Sequence, residues 1–504
     1  MRRIVASAVA VMAVLGALLV PPATAAVGVN SSALRTAVTL EGVREHQAAL
    51  QAIADANGGI RASGTAGYDE SAEYVAEKLS DAGYEVTVQG FTYQQWSETA
   101  SPVFEQTSPT PTTYGEGTDF ATMEYSGSGD VTALLQAVDL VLPPGASANT
   151  STSGCEATDF TGFTSGRIAL IQRGSCTFAL KAQNAQAAGA VGAVIFNEGQ
   201  PGRQDVLFGT LGGPGVTIPV LGTSFGLGNT LAATTGVTVH IKTSTQVVST
   251  DTVNVLGETP GGRGDRVVVV GAHLDSVTEG PGIQDNGSGS AVILEIAEEM
   301  AELKIAPRNK VRFAFWGAEE SGLIGSEYYV SQLTRRQIKN IALNLNFDMV
   351  GSPNFVRFVY DGDGSDTPIA GPVGSGVIES VFLKYFASEG LATEPTAFDG
   401  RSDYGPFIDV GIPAGGLFTG AEGIKTTEQA FIYGGTAGEA YDPCYHLACD
   451  TYANISLEAL DQMSDAAAHA VLTFAMTTSA VSGTGKGKGV GVSSLEFLGA
   501  LQQR

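Results

Sequence analysis

The sequence predicts an α/β fold: a mostly parallel, twisted mixed sheet sandwiched by helices, with a smaller β-rich insert. Three observations predict it. From Asp251 onward, strand-like segments alternate with helical ones, which implies parallel strands covered on both sides. Apolar runs such as Val267–Val270 have the character of buried strands. Residues 131–247 differ in composition, with few charges and many small residues.

The elements follow in chain order. Met1-Arg2-Arg3, an apolar stretch from Ile4 to Val20 and a small-residue site ending at Ala25-Ala26 read as a secretory signal peptide over 1–26. No later segment is apolar for long enough to span a bilayer. Asp69 to Gly83 reads as a helix, because Ala72, Val75, Leu79 and Ala82 recur at three and four residues and Gly83 closes it. "YEVTVQGF" then alternates like a strand. Residues 99–130, rich in Ser, Thr, Gly and Pro, read as irregular surface, so 27–130 forms the N-terminal part of the large domain.

Within 131–247, "GRIALIQRGSCTFALKAQNAQAAGAVGAVIFNE" (166–198) reads as strand, turn, small-residue helix and strand. "TIPVLGTSFG" (217–226) adds an extended piece. The segment 248–478 carries "RVVVVGAHLDS", a helix from Gly289 to Leu303, "KVRFAFWGAEE", "IALNLNFDMVG", a helix near 375–389, "GIPAGGLF" and a helix over 457–476. The tail 479–504 opens rich in Gly, Ser and Lys and reads as flexible.

Composition narrows the function. Among 504 residues, 52 acids face 27 bases, a net charge of −25. Nucleic acid and anionic membranes would be repelled, so neither is an expected partner. The four cysteines suit an oxidising compartment, and their two clusters suggest the pairs Cys155–Cys176 and Cys444–Cys449. A cysteine metal site is excluded, because the paired C-x2-C spacing is missing.

The chain has only five histidines, and "GAHLDSV" (271–277) places one at a strand end. His273 and Asp275 are two apart, so an extended chain points them the same way. A carboxylate there can accept one imidazole N–H and leave the other nitrogen for a metal. Four more strand or loop ends repeat the oddity. Asp285 sits in the glycine-rich "GIQDNGSGS", Glu319 and Glu320 adjoin in "FAFWGAEESG", Asp348 ends "NLNFD", and His446 lies within "DPCYHLACDT". Each has a plain structural alternative: an N-cap or Asx turn, a strand-ending turn, a surface histidine held by the disulfide. Two bare adjacent glutamates repel unless a cation is near. Taken together, imidazole and carboxylate without thiolate are the donors that zinc, manganese or cobalt accept in hydrolytic sites. His46, His240 and His469 have no partner motif and read as structural or exposed.

In order, "GAHLDSV", "GIQDNGSG", "WGAEESGLIGS", "NFDMVG", "GRSDYGPF" and "CYHLACDT" resemble the secreted bacterial di-zinc aminopeptidases of the zinc-exopeptidase group. The stretch 166–198 with Cys155 and Cys176 resembles the protease-associated domain inserted in several secreted peptidases. The resemblance implies a zinc-exopeptidase-like sheet and two zinc ions per chain. It implies that His273 and Asp348 bind one ion, Glu320 and His446 the other, and that Asp285 bridges them. Asp275 becomes the partner of His273, Glu319 the general base, and Tyr445 a donor to the developing oxyanion. Glu319, Asp348 and the groups around Asp399 and Arg401 are candidates for reading the substrate's α-amine. A calcium site around Asp461 and Asp465 is implied as well.

The expected activity is secreted, extracellular hydrolysis of N-terminal residues, large apolar ones such as leucine, from peptides with a free N-terminus, by a monomer. A carboxypeptidase of the same architecture would need a cationic cluster to hold a substrate carboxylate, and Arg401 alone makes a thin one. A catalytically dead binding protein would show loss of Glu319 or of a metal ligand, and none is lost.

Overall fold

The computed structural model describes residues 29–482. The expected signal peptide and the tail beyond Ser482 lie outside them.

Strands β1 (Glu85–Ser108), β2 (Thr112–Thr113), β3 (Phe120–Thr122), β4 (Gly129–Ala137), β5 (Ile168–Gln172), β6 (Gly192–Phe196) and β7 (Val220–Thr223) come first. They are followed by β8 (Thr238–Glu258), β9 (Arg263–His273), β10 (Asn309–Trp316), β11 (Ile341–Phe347), β12 (Phe358–Tyr360), β13 (Glu394–Thr396) and β14 (Ala414–Phe418). One continuous sheet runs in the order β13-β12-β14-β11-β9-β10-β8-β4-β5-β6-β7-β3, with β1 paired to β8 and β2 to β1. At its centre β14, β11, β9 and β10 are parallel. β12 runs against β14 and β8 against β10, which makes the sheet mixed.

The apolar runs explain the layering. Val268 and Val270 join one core with Leu50, Val75, Ile293 and Ala467, under the helices Leu40–Ala56, Ala66–Asp81, Gly287–Glu302 and Leu457–Met476. Val267 and Val269 join the opposite core with Ala314, Trp316 and Phe407. Successive side chains of a strand face opposite ways, so a strand covered on both faces needs an unbroken apolar run. The insert repeats the arrangement at smaller scale. Ile168 and Leu170 face one of its cores, and Ala169 and Ile171 the other.

Two expectations are corrected. Residues 99–130 are not simply irregular: β1 continues to Ser108, and β2, β3 and the start of β4 follow. β1 pairs with β8 along almost its whole length as an antiparallel ribbon. Much of that ribbon is solvated on both faces, so Ser and Thr serve where a core strand needs Val. Ser479–Ser482, placed with the tail, forms a short helix.

Candidate metal centre

Three neighbouring parallel strands end at the same edge of the sheet, the edge where such sheets place their chemistry. β9 ends on His273, level with Trp316 at the end of β10. Glu319 and Glu320 follow β10, and Asp348 follows β11 directly. Asp285 comes from the loop that starts the helix Gly287–Glu302, and His446 from the loop closed by the Cys444–Cys449 disulfide. Ala318, Met349 and His446 hold left-handed φ values of 56°, 54° and 56°. Strain of that kind, on the order of 1–3 kcal/mol per residue, persists only where the surroundings over-determine it.

The side chains form two donor groups that share one carboxylate. His273 Nε2 lies 3.2 Å from Asp285 Oδ1 and 3.3 Å from Asp348 Oδ1. His446 Nε2 lies 3.2 Å from Asp285 Oδ2 and 3.2 Å from Glu320 Oε2. Each oxygen of Asp285 thus faces a different histidine. Donors about 2.0–2.1 Å from a tetrahedral zinc stand about 3.3 Å apart, which is the spacing found. Glu320 Oε1 and Asp348 Oδ1 are buried and make no hydrogen bond. The donor chemistry and the orphaned oxygens both fit a pair of divalent ions.

Neighbouring groups fix these candidate donors. Asp275 accepts the backbone N–H groups of Glu319 (3.2 Å) and Glu320 (3.4 Å) through its two oxygens. His273 Nδ1 lies 3.2 Å from the Asp275 carbonyl oxygen and 3.7 Å from its carboxylate. Asp275 therefore orients the two glutamates as well as the histidine. Ser402 Oγ donates to Asp348 Oδ2 at 2.6 Å and accepts from Asn346 Nδ2 at 2.7 Å. Asp450 accepts the N–H groups of Gln284 (2.8 Å) and Asp285 (3.0 Å). Fully buried Arg61 ties down the carbonyls of Leu274, Pro281 and Gly282, which bracket the Asp285 loop.

Sequence reasoning passed over Ser402, Asp450 and Arg61. The first two stand inside quoted motifs, "GRSDYGPF" and "CYHLACDT", where closeness to the candidates Arg401 and His446 was the available signal. Arg61 carried none.

Before any cation is counted, the site's protonation equilibria are strongly displaced. Burial and the nearby Glu320 and Asp403 push the Glu319 carboxyl well above the usual range, against the pull of His273. Burial also pushes Asp403 up to about 7. Burial opposes a charged His273, but Glu319 and Asp348 outweigh it and hold the imidazole well above its ordinary value. Asp285 moves the other way: hydrogen bonding to both histidines overcomes its burial and keeps it ionised. An acidic cavity of this kind attracts cations.

Glu319, Asp399, Arg401 and Tyr445 all line the cavity over the centre, beside the apolar Leu323 and Met349. Tyr360 and Phe418 extend the apolar wall, and Thr210 reaches in from the insert. Tyr445 stacks on His446 at 3.8 Å between ring centroids. Its hydroxyl lies 3.4 Å from Arg401 Nη2, while Arg401 Nη1 pairs with Glu422 at 2.7 Å. Asp399 Oδ1 accepts from Tyr404 Oη at 2.8 Å and from the Arg401 N–H at 3.1 Å. Asp465, which does not line the cavity, pairs with Arg35 at 3.3 Å. Both expected disulfides are formed, Cys155–Cys176 and Cys444–Cys449.

The chain is similar to known proteins along most of its length. The profile of peptidase family M28 matches residues 254–471, and that of the PA domain matches 136–231. An aminopeptidase of Pseudomonas aeruginosa (strain UCBPP-PA14) is 49% identical over 436 residues, 86% of this chain and 80% of its own. The chain belongs to peptidase family M28. Leucine aminopeptidase 2 of Trichophyton equinum is 48% identical over 327 residues, 64% of this chain and 65% of its own. Among solved structures, the aminopeptidase from Aneurinibacillus sp. strain AM-1 superposes with a TM-score of 0.69 at 25% identity, covering 88% of this chain and 95% of its own. A zinc aminopeptidase from Bacillus subtilis gives 0.56 at 26% identity, covering 86% and 94%. This M28 protein is a zinc-dependent aminopeptidase with an inserted PA domain.

Proposed function

We propose that this M28 enzyme removes N-terminal residues, large apolar ones such as leucine foremost, at a centre of two zinc ions. The observation that carries the reading is the shared carboxylate: Asp285 offers one oxygen to each of two histidine-containing donor groups. His273, Asp348 and Asp285 would hold one ion, and His446, Glu320 and Asp285 the other. Bound zinc supplies a Lewis acid for the scissile carbonyl and acidifies the attacking water.

The chain's own residues do the rest. Glu319, buried over the centre and ionised beside the bound ions, would take the proton from that water and return it to the leaving amine. The Tyr445 hydroxyl, braced by Arg401, donates to the oxyanion as charge develops there. Asp275 holds the backbone of Glu319 so that the base stays aimed. The acidic end of the cavity, Glu319, Asp348 and Asp399, suits the substrate's α-ammonium and disfavours a carboxylate. Met349, Tyr360 and Phe418 form an apolar wall that suits a leucine side chain, in keeping with the leucine aminopeptidase relative.

In this reading 27–130 and 248–478 make the peptidase and 131–247 the insert, and the enzyme acts as a secreted monomer on peptides. Two disulfides favour the extracellular setting. No helix among the described residues is long and apolar enough to cross a membrane.

The test compares leucine p-nitroanilide with its N-acetyl form, each with and without a chelator. Cleavage of the free amine alone, abolished by the chelator, is the expected result. Equal rates on both compounds would remove the exopeptidase reading, and activity surviving verified metal removal would remove the mechanism.

A further inference from the structure

A second imidazole–carboxylate cluster, with His46 and Glu295 buried and Glu298 partly exposed, lies where the helices Leu40–Ala56, Ala66–Asp81 and Gly287–Glu302 meet. Its acids start eight residues into the last helix, about 12 Å along the axis from Gly287. None of its members lines the catalytic cavity.

His46 is 3% exposed, and its Nε2 stands 3.4 Å from Glu295 Oε2 and 3.1 Å from Glu298 Oε2. Those are hydrogen-bond distances without hydrogen-bond direction: buried Nε2 makes no hydrogen bond. The other ring nitrogen, Nδ1, lies 2.8 Å from the Tyr74 hydroxyl. With Nδ1–H donating to that oxygen, the Nε2 lone pair faces the two carboxylates. This is how a protein prepares a metal-binding histidine.

The carboxylates are deliberately placed. Glu295 is buried on a helix face otherwise filled by Val292, Ile296 and their neighbours. A Cβ on Gly42 would stand 2.0 Å from Glu295 Oε1, so a larger residue there would displace the carboxylate from this position. Lys78 pairs with Glu298 at 3.3 Å through Oε1, leaving Oε2 for the cluster.

We propose that His46, Glu295 and Glu298 form a separate zinc site, binding through Nε2 and one oxygen of each carboxylate. The ligand classes are those of the catalytic centre. The 3.1 Å and 3.4 Å spacings bracket the roughly 3.3 Å expected between donors on a tetrahedral zinc. The site is structural: it clamps the helix Leu40–Ala56 onto Gly287–Glu302, the helix whose first turn follows Asp285. The competing occupant is a proton, which would make His46 an imidazolium shared by two glutamates.

Zinc per chain decides between them. The full chain and the variants His46→Gln and Glu298→Gln are equilibrated with micromolar free zinc, desalted and analysed by elemental mass spectrometry. Each variant is expected to hold one zinc fewer than the parent and to keep its turnover of leucine p-nitroanilide. The midpoint of thermal unfolding should rise with added zinc further in the parent than in Glu298→Gln. Equal zinc in parent and variants would overturn the site and leave the proton as occupant. Because the readout is a difference between chains, it stands whatever number of ions the catalytic centre holds.

Discussion

The peptidase edge and the insert both bury charge, and they neutralise it in opposite ways. In the insert, Glu198 is 1% exposed and is answered by the chain itself. It accepts the N–H groups of Asn149, Thr150 and Ser151 at 2.7–3.2 Å and pairs with Arg203 at 3.3 Å. Buried Lys181 likewise donates to the Ser153 carbonyl. At the peptidase edge, Asp275, Asp285, Glu319, Glu320, Asp348 and Asp403 are all buried, against His273, His446 and Arg61. Among the described residues no donor group that could hold a metal lies in the insert. A buried charge that the fold satisfies is architecture. A buried surplus of carboxylates with orphaned oxygens calls for cations from outside.

Metal removal breaks the comparison most severely. Dialysis against a chelator should abolish turnover and lower protection from hydrogen exchange around 271–285 and 317–320. Amides of β5 and β6 should exchange as before. Uniform loosening of both regions would mean that the insert depends on the same ions.

Glu319→Gln comes next. Turnover should fall about 10²- to 10⁴-fold, the range of general acid–base catalysis, with zinc content unchanged. A variant retaining most activity would end the assignment of the base.

The insert supplies the reverse case. Glu198→Ala should cost about 3–5 kcal/mol of local stability by removing the carboxylate from Arg203 and leaving three N–H groups without an acceptor. Hydrolysis of leucine p-nitroanilide should persist at temperatures where the insert still folds.

The smallest effect is a slope with pH. Burial lowers the Lys181 pKa to about 8 from 10.5. A depressed folded-state value means the unfolded chain binds more protons between the two. The insert should therefore gain stability as pH rises from 8 toward 10.5, lose that gain as pH falls back to 8, and show no further slope from this group below 8. The gain is at most about 3 kcal/mol. Hydrogen exchange of the Lys181→Met insert should lack that pH-dependent gain; an unchanged slope would place its origin elsewhere.

The candidate donors were legible as a set: His273 and Asp348 end apolar strands, each with a plain structural alternative, and only their recurrence together with the family resemblance pointed to a metal. Arg61 and Asp450 were not. They act on backbone carbonyls and N–H groups, and many polar residues could occupy such positions in a linear reading. Arg61 meets Gly282 across 221 residues of chain. The β1–β8 ribbon was hidden for another reason, since strands wet on both faces lose the alternation that announces a half-buried strand. The layered core from Val267 to Val270 was plain, because burial on both faces leaves only apolar choices.

The most direct measurement is anomalous diffraction at the zinc edge from crystals of the full chain. Two peaks should flank the Asp285 carboxylate, one beside His273 and Asp348, the other beside His446 and Glu320. A single peak there, or two peaks that do not share Asp285, would contradict the shared two-zinc centre.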